Sequence, residues 1–363
     1  MFRELKKFTI QMIAGANVAS IVILWLIGYS DRLNPENYPM LSNIGLLFPV
    51  FLLINFFFLL FWLVFKKRYA LIPFLGFLAC YIPVRKYMPL NVDAEVPDGA
   101  IKVLSYNTLG FGEGQMDEDG VNPVVRYIRQ QDADIVCLQE AGMSEPVREQ
   151  VDSILRPKYV SYEITVHPNG GNSMVLLSKF PLLSKEIIDY PSEANFSVAY
   201  RLKMGNDTVL LVSNHLESTG LTLEERSKFK KLIKGKLETQ TAEKTSKLLI
   251  VKLAESTKKR APEAKAVADY ITHQKEKNVI LCGDFNDGPI SYAHRTIAEG
   301  LTDCYITSGN GPGISYHKGG FFVRIDNMMC SDDWKPYNCK IDDKIAASDH
   351  YPIVCYLKKR SKK

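Results

Sequence analysis

The sequence predicts an α/β (α+β) domain placed behind an apolar N-terminal region, on three observations. Residues 1–90 of the 363-residue chain are heavily apolar, while the remainder has the composition of an ordinary soluble domain long enough to bury a core. In that remainder, short β-type apolar runs recur at intervals. Helical stretches fall between some of them, and many strands with peripheral helices indicate a layered mixed architecture.

The apolar region comes first in the chain. Its stretches run from Phe8 to Tyr29, from Leu41 to Phe65 and from Tyr69 to Val84. About 20 apolar residues cross a bilayer as a helix, so the first two qualify by length, and the third is short and carries Pro73 and Pro83. Two or three transmembrane helices over residues 1–90, with three preferred, are therefore expected. Arg3, Lys6 and Lys7 ahead of the first stretch also fit a cleaved signal peptide. Two further apolar stretches and the lack of a small-x-small site favour a retained anchor. The same three basic residues put the N-terminus inside, Asp31, Arg32 and Glu36 suit the outside, and Lys66, Lys67 and Arg68 return the chain inside. A third span then places the rest of the chain outside, in the periplasm of a bacterium with the anchor in its inner membrane. Arg85 and Lys86 weigh against that orientation. No stretch contains an internal ionisable residue, which argues for an anchor over a transport path, and Trp25, Trp62, Tyr69 and Tyr87 sit where interfacial aromatics are expected.

Residues 91–99 read as a linker, with a Pro-Asp-Gly turn. From residue 100 onward β-type runs appear at Ile101–Tyr106, Ile135–Leu138, Met174–Leu177, Ser197–Leu202, Val209–Ser213, Val279–Cys282, Val323–Met329 and Ile353–Tyr356. Pro123 to Gln131 reads as a helix. Residues 221–265 stand apart, with 13 Lys/Arg against 6 Asp/Glu, a local excess larger than the net +5 of the whole chain. Helical spacing in Phe229, Leu232, Ile233 and Leu237, and again in Leu248, Leu249, Val251 and Leu253, predicts two helices there. They read equally as a solvated basic face or as a contact for anionic headgroups or a nucleic-acid backbone.

Polar blocks close several of these runs: Ser105-Tyr106-Asn107, Leu138-Gln139-Glu140, Asn214-His215-Leu216, Gly283-Asp284-Phe285-Asn286, Arg324-Ile325-Asp326 and Ser348-Asp349-His350-Tyr351-Pro352. Strand ends hold polar groups at fixed separations facing a cleft, and a hydrolytic metal site for phosphate is the economical reading of this collection. A carboxylate such as Glu140 is a natural ligand for a hard cation. Asp284 could accept a proton from an attacking water, and Asn286 could donate to a phosphate oxygen.

In this order, the blocks resemble the endonuclease/exonuclease/phosphatase superfamily of DNase I-like nucleases, sphingomyelinases and inositol-polyphosphate phosphatases. The resemblance covers roughly residues 100–357. It implies a four-layer αββα sandwich of two packed sheets over residues 100–360, and divalent-metal-dependent phosphoester hydrolysis with Mg²⁺ or Mn²⁺. It further implies Glu140, Asn107 and Asp349 around the metal, Asp284 as base, Asp326 orienting His350, and His215, Asn286 and His350 against the phosphate. Asn172 is a candidate substrate-side amide. Asn327 and Leu109 depart from the pattern of many members, Leu109 from that of nucleases of the DNA-repair type. The expected substrate is a phosphodiester, either nucleic acid or a phospholipid headgroup, with the bilayer as the only other partner and no protein partner. A monoester phosphatase for inositol or sugar phosphates, an inactive phosphate-binding module and a membrane scaffold are the alternatives. Cys137, Cys282 and Cys355 read as buried small hydrophobes, and Cys304, Cys330 and Cys339 leave room for one disulfide. His167, His273, His294 and His317 are expected at the surface.

Overall fold

A computed structural model describes residues 1–360. Helix α1 (Phe2–Gly28) and α2 (Phe48–Phe65) are long and apolar enough to cross a membrane. α3 (Leu71–Ala79) and α4 (Tyr81–Tyr87) follow with a bend of 71° between them, and that pair amounts to a third span only if taken as one broken helix. A polar network joins α1 to α2: the Asn17 and Ser20 side chains donate to the Asn55 Oδ1 at 3.2 and 2.9 Å, and the Trp62 indole donates to Asn17 at 3.1 Å. Trp62 is therefore buried and stacked on Tyr69 rather than interfacial. Hydrogen bonds of this kind tie apolar helices together where no hydrophobic force separates helix from lipid.

Two six-stranded sheets make up the rest. The strands of the first are β1 (Ile101–Asn107), β2 (Ile135–Gln139), β3 (Ser161–Val166), β4 (Ser173–Ser178), β11 (Trp334–Ile341) and β12 (Ile353–Lys359), in the order β11-β12-β1-β2-β4-β3. The second contains β5 (Leu182–Ile188), β6 (Phe196–Met204), β7 (Asp207–His215), β8 (Val279–Asp284), β9 (Thr302–Asp303) and β10 (Asp326–Cys330), in the order β5-β6-β7-β8-β10-β9. Alternation along the strands builds the layers. Val103, Ile135 and Cys137 face Val209, Leu211, Ile280 and Cys282 between the sheets. Their neighbours Leu104, Val136 and Leu138 point outward onto α6 (Pro123–Gln131) and α7 (Glu145–Gln150). Leu210, Val212 and Leu281 point outward onto α9 (Thr239–His273) and α10 (Tyr292–Ile297). The result is the expected four-layer sandwich.

Asn122 caps α6 by accepting from the N–H of Val124 and Val125, with Pro123 at the first helical position. The basic segment forms α8 (Leu223–Ile233) and the first part of α9, which continues through Pro262 to His273. Between β1 and α6, α5 (Leu109–Glu113) is a left-handed turn, with glycines at 110, 112 and 114 alternating through it as that backbone demands. The tenth strand starts at Asp326, three residues later than the expected run, because Val323 pairs only with Tyr316 in an isolated bridge. All seven cysteines are free and buried, and Cys304 and Cys330 lie 3.8 Å apart at sulfur. His167 and His294 are buried, contrary to expectation, and His294 Nε2 lies 2.8 Å from Asp303 Oδ2.

Glu263 on α9 is buried and accepts the Glu217 N–H at 2.8 Å. Burial raises its carboxyl from 4.5 to about 7, a shift the hydrogen bond opposes. Folding therefore takes up a proton in that interval, so the stabilisation is present below 4.5 and is lost as pH rises through 7. The melting temperature of the full chain in detergent should fall less steeply over this window in Glu263→Gln, the variant gaining on the native protein toward alkaline pH.

Candidate active site

Topology brings the polar blocks together. β1 and β2 run parallel, so Asn107 pairs with Gln139 and Glu140 follows at the same edge. β7 and β8 also run parallel, pairing His215 with Asp284. β10 enters antiparallel, so its first residue, Asp326, faces Asp284, the last residue of β8. β12 is antiparallel to β1; the residues just before it, Ser348 to His350, therefore reach that edge too. Ser348 Oγ donates to the Asn107 carbonyl at 2.8 Å and locks the two blocks.

Asp284 is the centre. The Asn107 amide donates to its Oδ2 at 3.1 Å and to Glu140 Oε1 at 3.2 Å, linking the two sheets. His350 Nε2 and His215 Nε2 stand 3.7 and 3.8 Å from the same Oδ2, and His215 Nε2 is 3.5 Å from Glu140. His350 Nδ1 is 2.8 Å from Asp326 Oδ2, and the Asn172 amide lies 2.9 Å from His215 Nδ1. Burial pushes Asp284 up to about 6, opposed by His350 and reinforced by Asp326. Burial alone would lower His350, but Asp326 and Asp284 beside it raise the imidazole to about 10. One proton is thus held on the imidazole between two carboxylates.

Two site residues are held in left-handed backbone that side chains rarely adopt, Glu140 at φ 46° and Asn286 at φ 51°. The Glu140 carbonyl accepts the Gly110 N–H of the left-handed turn at 2.7 Å. The Asn286 N–H donates to Asp284 Oδ1 at 2.8 Å, while its amide donates to the Leu216 carbonyl at 2.9 Å. Asp349, next to His350 in the chain, faces Arg226 Nη1 at 3.3 Å. Arg226 comes from α8, and nothing in its basic surroundings distinguishes it in the sequence. Tyr316, edge-on to His350 at 5.1 Å, went equally unmarked.

Among the described residues, Asp284, Asp326 and His350 offer ligand atoms within 4.8 Å of one another, a different set from the expected Glu140, Asn107 and Asp349. The imidazole nitrogen facing Asp326 is already committed to that carboxylate, and hard cations take oxygen ligands. The half-exposed Glu140 carboxylate beside Asp284 offers such oxygens. His215 Nε2 and Asp326 Oδ1 are buried without hydrogen-bond partners, as atoms awaiting a bound group are. The residues fit a divalent cation.

A cavity of about 450 Å³ opens onto Glu140, Asp284, Asn286, Asp349 and His350. The sandwich and its cluster of acids, amides and imidazoles fit a phosphoester hydrolase. Residues 104–350 match the Endonuclease/Exonuclease/phosphatase family, and residues 10–87 match a Domain of unknown function (DUF8431). The chain belongs to the endonuclease/exonuclease/phosphatase family. A humanized D. rerio TDP2 with 14 mutations is similar at 16% identity and a TM-score of 0.50, over 72% of this chain and 99% of that one. An endonuclease/exonuclease/phosphatase from Beutenbergia cavernae is similar at 15% identity and a TM-score of 0.49, over 72% of each chain. The human Nocturnin catalytic domain is similar at 16% identity and a TM-score of 0.49, over 74% of this chain and 97% of that one. At such identities the likeness is one of fold. No curated protein matches the chain.

Gly283 sets the distance between β7 and β8. A Cβ there would stand 2.0 Å from the Asn214 carbonyl oxygen, and its φ of 134° is open only to glycine at low cost. Gly283→Ala should lose about 2 kcal/mol or more of stability, read as a lowered melting temperature of the full chain.

Proposed function

We propose that the protein is a divalent-metal-dependent phosphoesterase, with Mg²⁺ or Mn²⁺, that hydrolyses phosphodiester bonds outside the cytoplasm. In this reading α1 to α4 anchor it in a bacterial inner membrane. The observation that carries the catalytic reading is the convergence on Asp284 of an amide, two imidazoles and two further carboxylates from five other strand ends. When bound, the cation supplies Lewis-acid charge to a phosphoryl oxygen, and Glu140 with Asn107 would hold it.

The chain's own groups divide the remaining work. Asp284 takes the proton of the attacking water. Protonated His350, fixed by Asp326, donates to the phosphoryl group as it gains charge. His215, fixed by Asn172, donates beside it, and Asn286 holds the Asp284 carboxylate through its backbone N–H. Asp349, oriented by Arg226, positions the water.

Charge supports the orientation. Arg3, Lys6, Lys7 and Lys66 gather around one recess at the far end of the apolar helices, as cytoplasmic ends do. At the opposite end, Asp31 pairs with Lys86 at 2.6 Å, and Arg324 of the catalytic domain donates to the Lys86 carbonyl. A reporter that is active only outside the cytoplasm should work when fused after residue 360. Activity from a cytoplasm-only reporter at the same point would overturn the orientation.

The full chain in detergent should cleave bis(4-nitrophenyl) phosphate with Mg²⁺ or Mn²⁺ and stop with EDTA. Asp284→Asn should lower kcat by about 10²-fold or more. Metal-independent turnover, or an Asp284→Asn variant as fast as the native protein, rejects the mechanism.

A further inference from the structure

We infer that the phosphodiester taken by this cavity is that of a membrane glycerophospholipid, whose headgroup rises to Asp284 while its acyl chains stay in or near the bilayer. The inference rests on the phosphoesterase reading of the same site and adds its substrate class. The first support is where the cavity walls come from. Leu46 lines it, and Leu46 belongs to the turn Leu41–Leu47 that joins α1 to α2. The anchor is built into the rim: Thr257 Oγ1 donates to Asn43 Oδ1 at 2.9 Å, and Gly45 lies so close that a Cβ would stand 2.3 Å from the Ile290 carbonyl oxygen.

Distance gives the second support. Ile290 packs among Leu24, Ile27, Phe48 and Cys80, at the ends of α1 and α2 where the apolar helices meet the domain. Only four residues separate it from Asn286, so the site stands at most about 14 Å from that apolar cluster. The headgroup layer itself is roughly 5–8 Å deep on each side of the hydrocarbon core. A lipid phosphate therefore has at most roughly 6–9 Å to climb.

The third support is the chemistry of the mouth. Above the acidic floor the walls are mixed, with Leu221, Leu223, Leu253, Phe321 and Val323 beside Leu46 forming an apolar part next to Asn43, Ser218, Thr219 and Thr222. Leu223 is 85% exposed and the neighbouring Phe322 60% exposed, so apolar side chains project from the rim. Lys228, Lys230, Lys231 and Lys234 lie exposed along α8, cations suited to an anionic headgroup layer. Arg226, from the same helix, reaches the cavity beside Asp349, where its guanidinium would meet a single phosphate. A polynucleotide needs an open channel on both sides of its scissile phosphate, and here the anchor turn forms part of one wall. In the reaction, the water oxygen bonds to phosphorus and the P–O bond to the leaving alcohol breaks. That oxygen takes a proton, and a phosphomonoester and an alcohol result.

The full chain in nanodiscs of phosphatidylglycerol and phosphatidylethanolamine, assayed by ³¹P NMR with metal present, tests this. Three soluble comparators accompany it: dibutyryl phosphatidylglycerol, a single-stranded DNA oligonucleotide and bis(4-nitrophenyl) phosphate. The long-chain lipid should be cleaved about 100-fold more efficiently than its dibutyryl analogue, because enzyme and long-chain substrate share one bilayer and the analogue must be taken from water. Leu46→Asp and Leu223→Asp should each lower long-chain turnover at least about tenfold more than they lower chromogenic turnover, by loss of apolar contact. Leu223 is exposed, so its variant folds whether or not the idea is right. Equal turnover of long and short chains, preference for DNA, or variants that lose lipid and chromogenic turnover equally overturns the inference while an Asp284-dependent chromogenic activity leaves the phosphoesterase reading standing. Absence of turnover on every substrate removes both.

Discussion

Burying the Asp284 carboxylate is the constraint from which the site follows. A charge with 1% exposure is costly unless donors and opposite charges surround it. Asn107 reaches across from the other sheet, the Asn286 N–H closes from below, and two imbedded imidazoles stand within 4 Å. Asn107 and the two imidazoles come from three other strand ends, so the carboxylate is fully compensated only when both sheets are packed in register. The same burial raises its proton affinity.

The two parallel pairs, β1–β2 and β7–β8, are what make those strand ends coincide. Parallel neighbours finish at the same edge, and an antiparallel third strand begins there. Each sheet therefore delivers two chain exits and one chain entry to one cleft. Gly283 and the left-handed turn after β1 are local costs of this arrangement, the first allowing close approach and the second carrying the Glu140 carbonyl.

The N-terminal apolar helices are joined to the sandwich by direct contacts rather than by a loose tether. Asn91 donates to the Ile306 and Gly309 carbonyls, at 3.1 and 2.6 Å, Asn43 meets α9, and Ile290 enters the apolar helix cluster. These contacts fix which side of the sandwich faces the apolar helices. The cleft is thereby held at a fixed position relative to those helices.

Much of this was legible in the chain. Interior strands read as apolar runs because both of their faces are buried, as in β2, β4 and β8. Edge strands did not: β5 is exposed along most of its length and β3 is only half-buried, so neither carries an apolar signature. Polar blocks at the ends of interior runs were readable for the same reason that the runs were. Arg226 and Tyr316 were invisible, since a basic helix and a loop tyrosine acquire their place beside Asp349 and His350 only through packing. His294 and Trp62 were misplaced because a buried partner, Asp303 for one and Asn17 for the other, lies far from any local pattern. By itself, the sequence determined the interior strands, the apolar helices and the identity of the polar groups, since these depend on periodicity and residue type. Which groups meet, and that the cleft opens beside the anchor, was decided only by tertiary structure, because sheet order and long-range contact are properties of how distant segments pack.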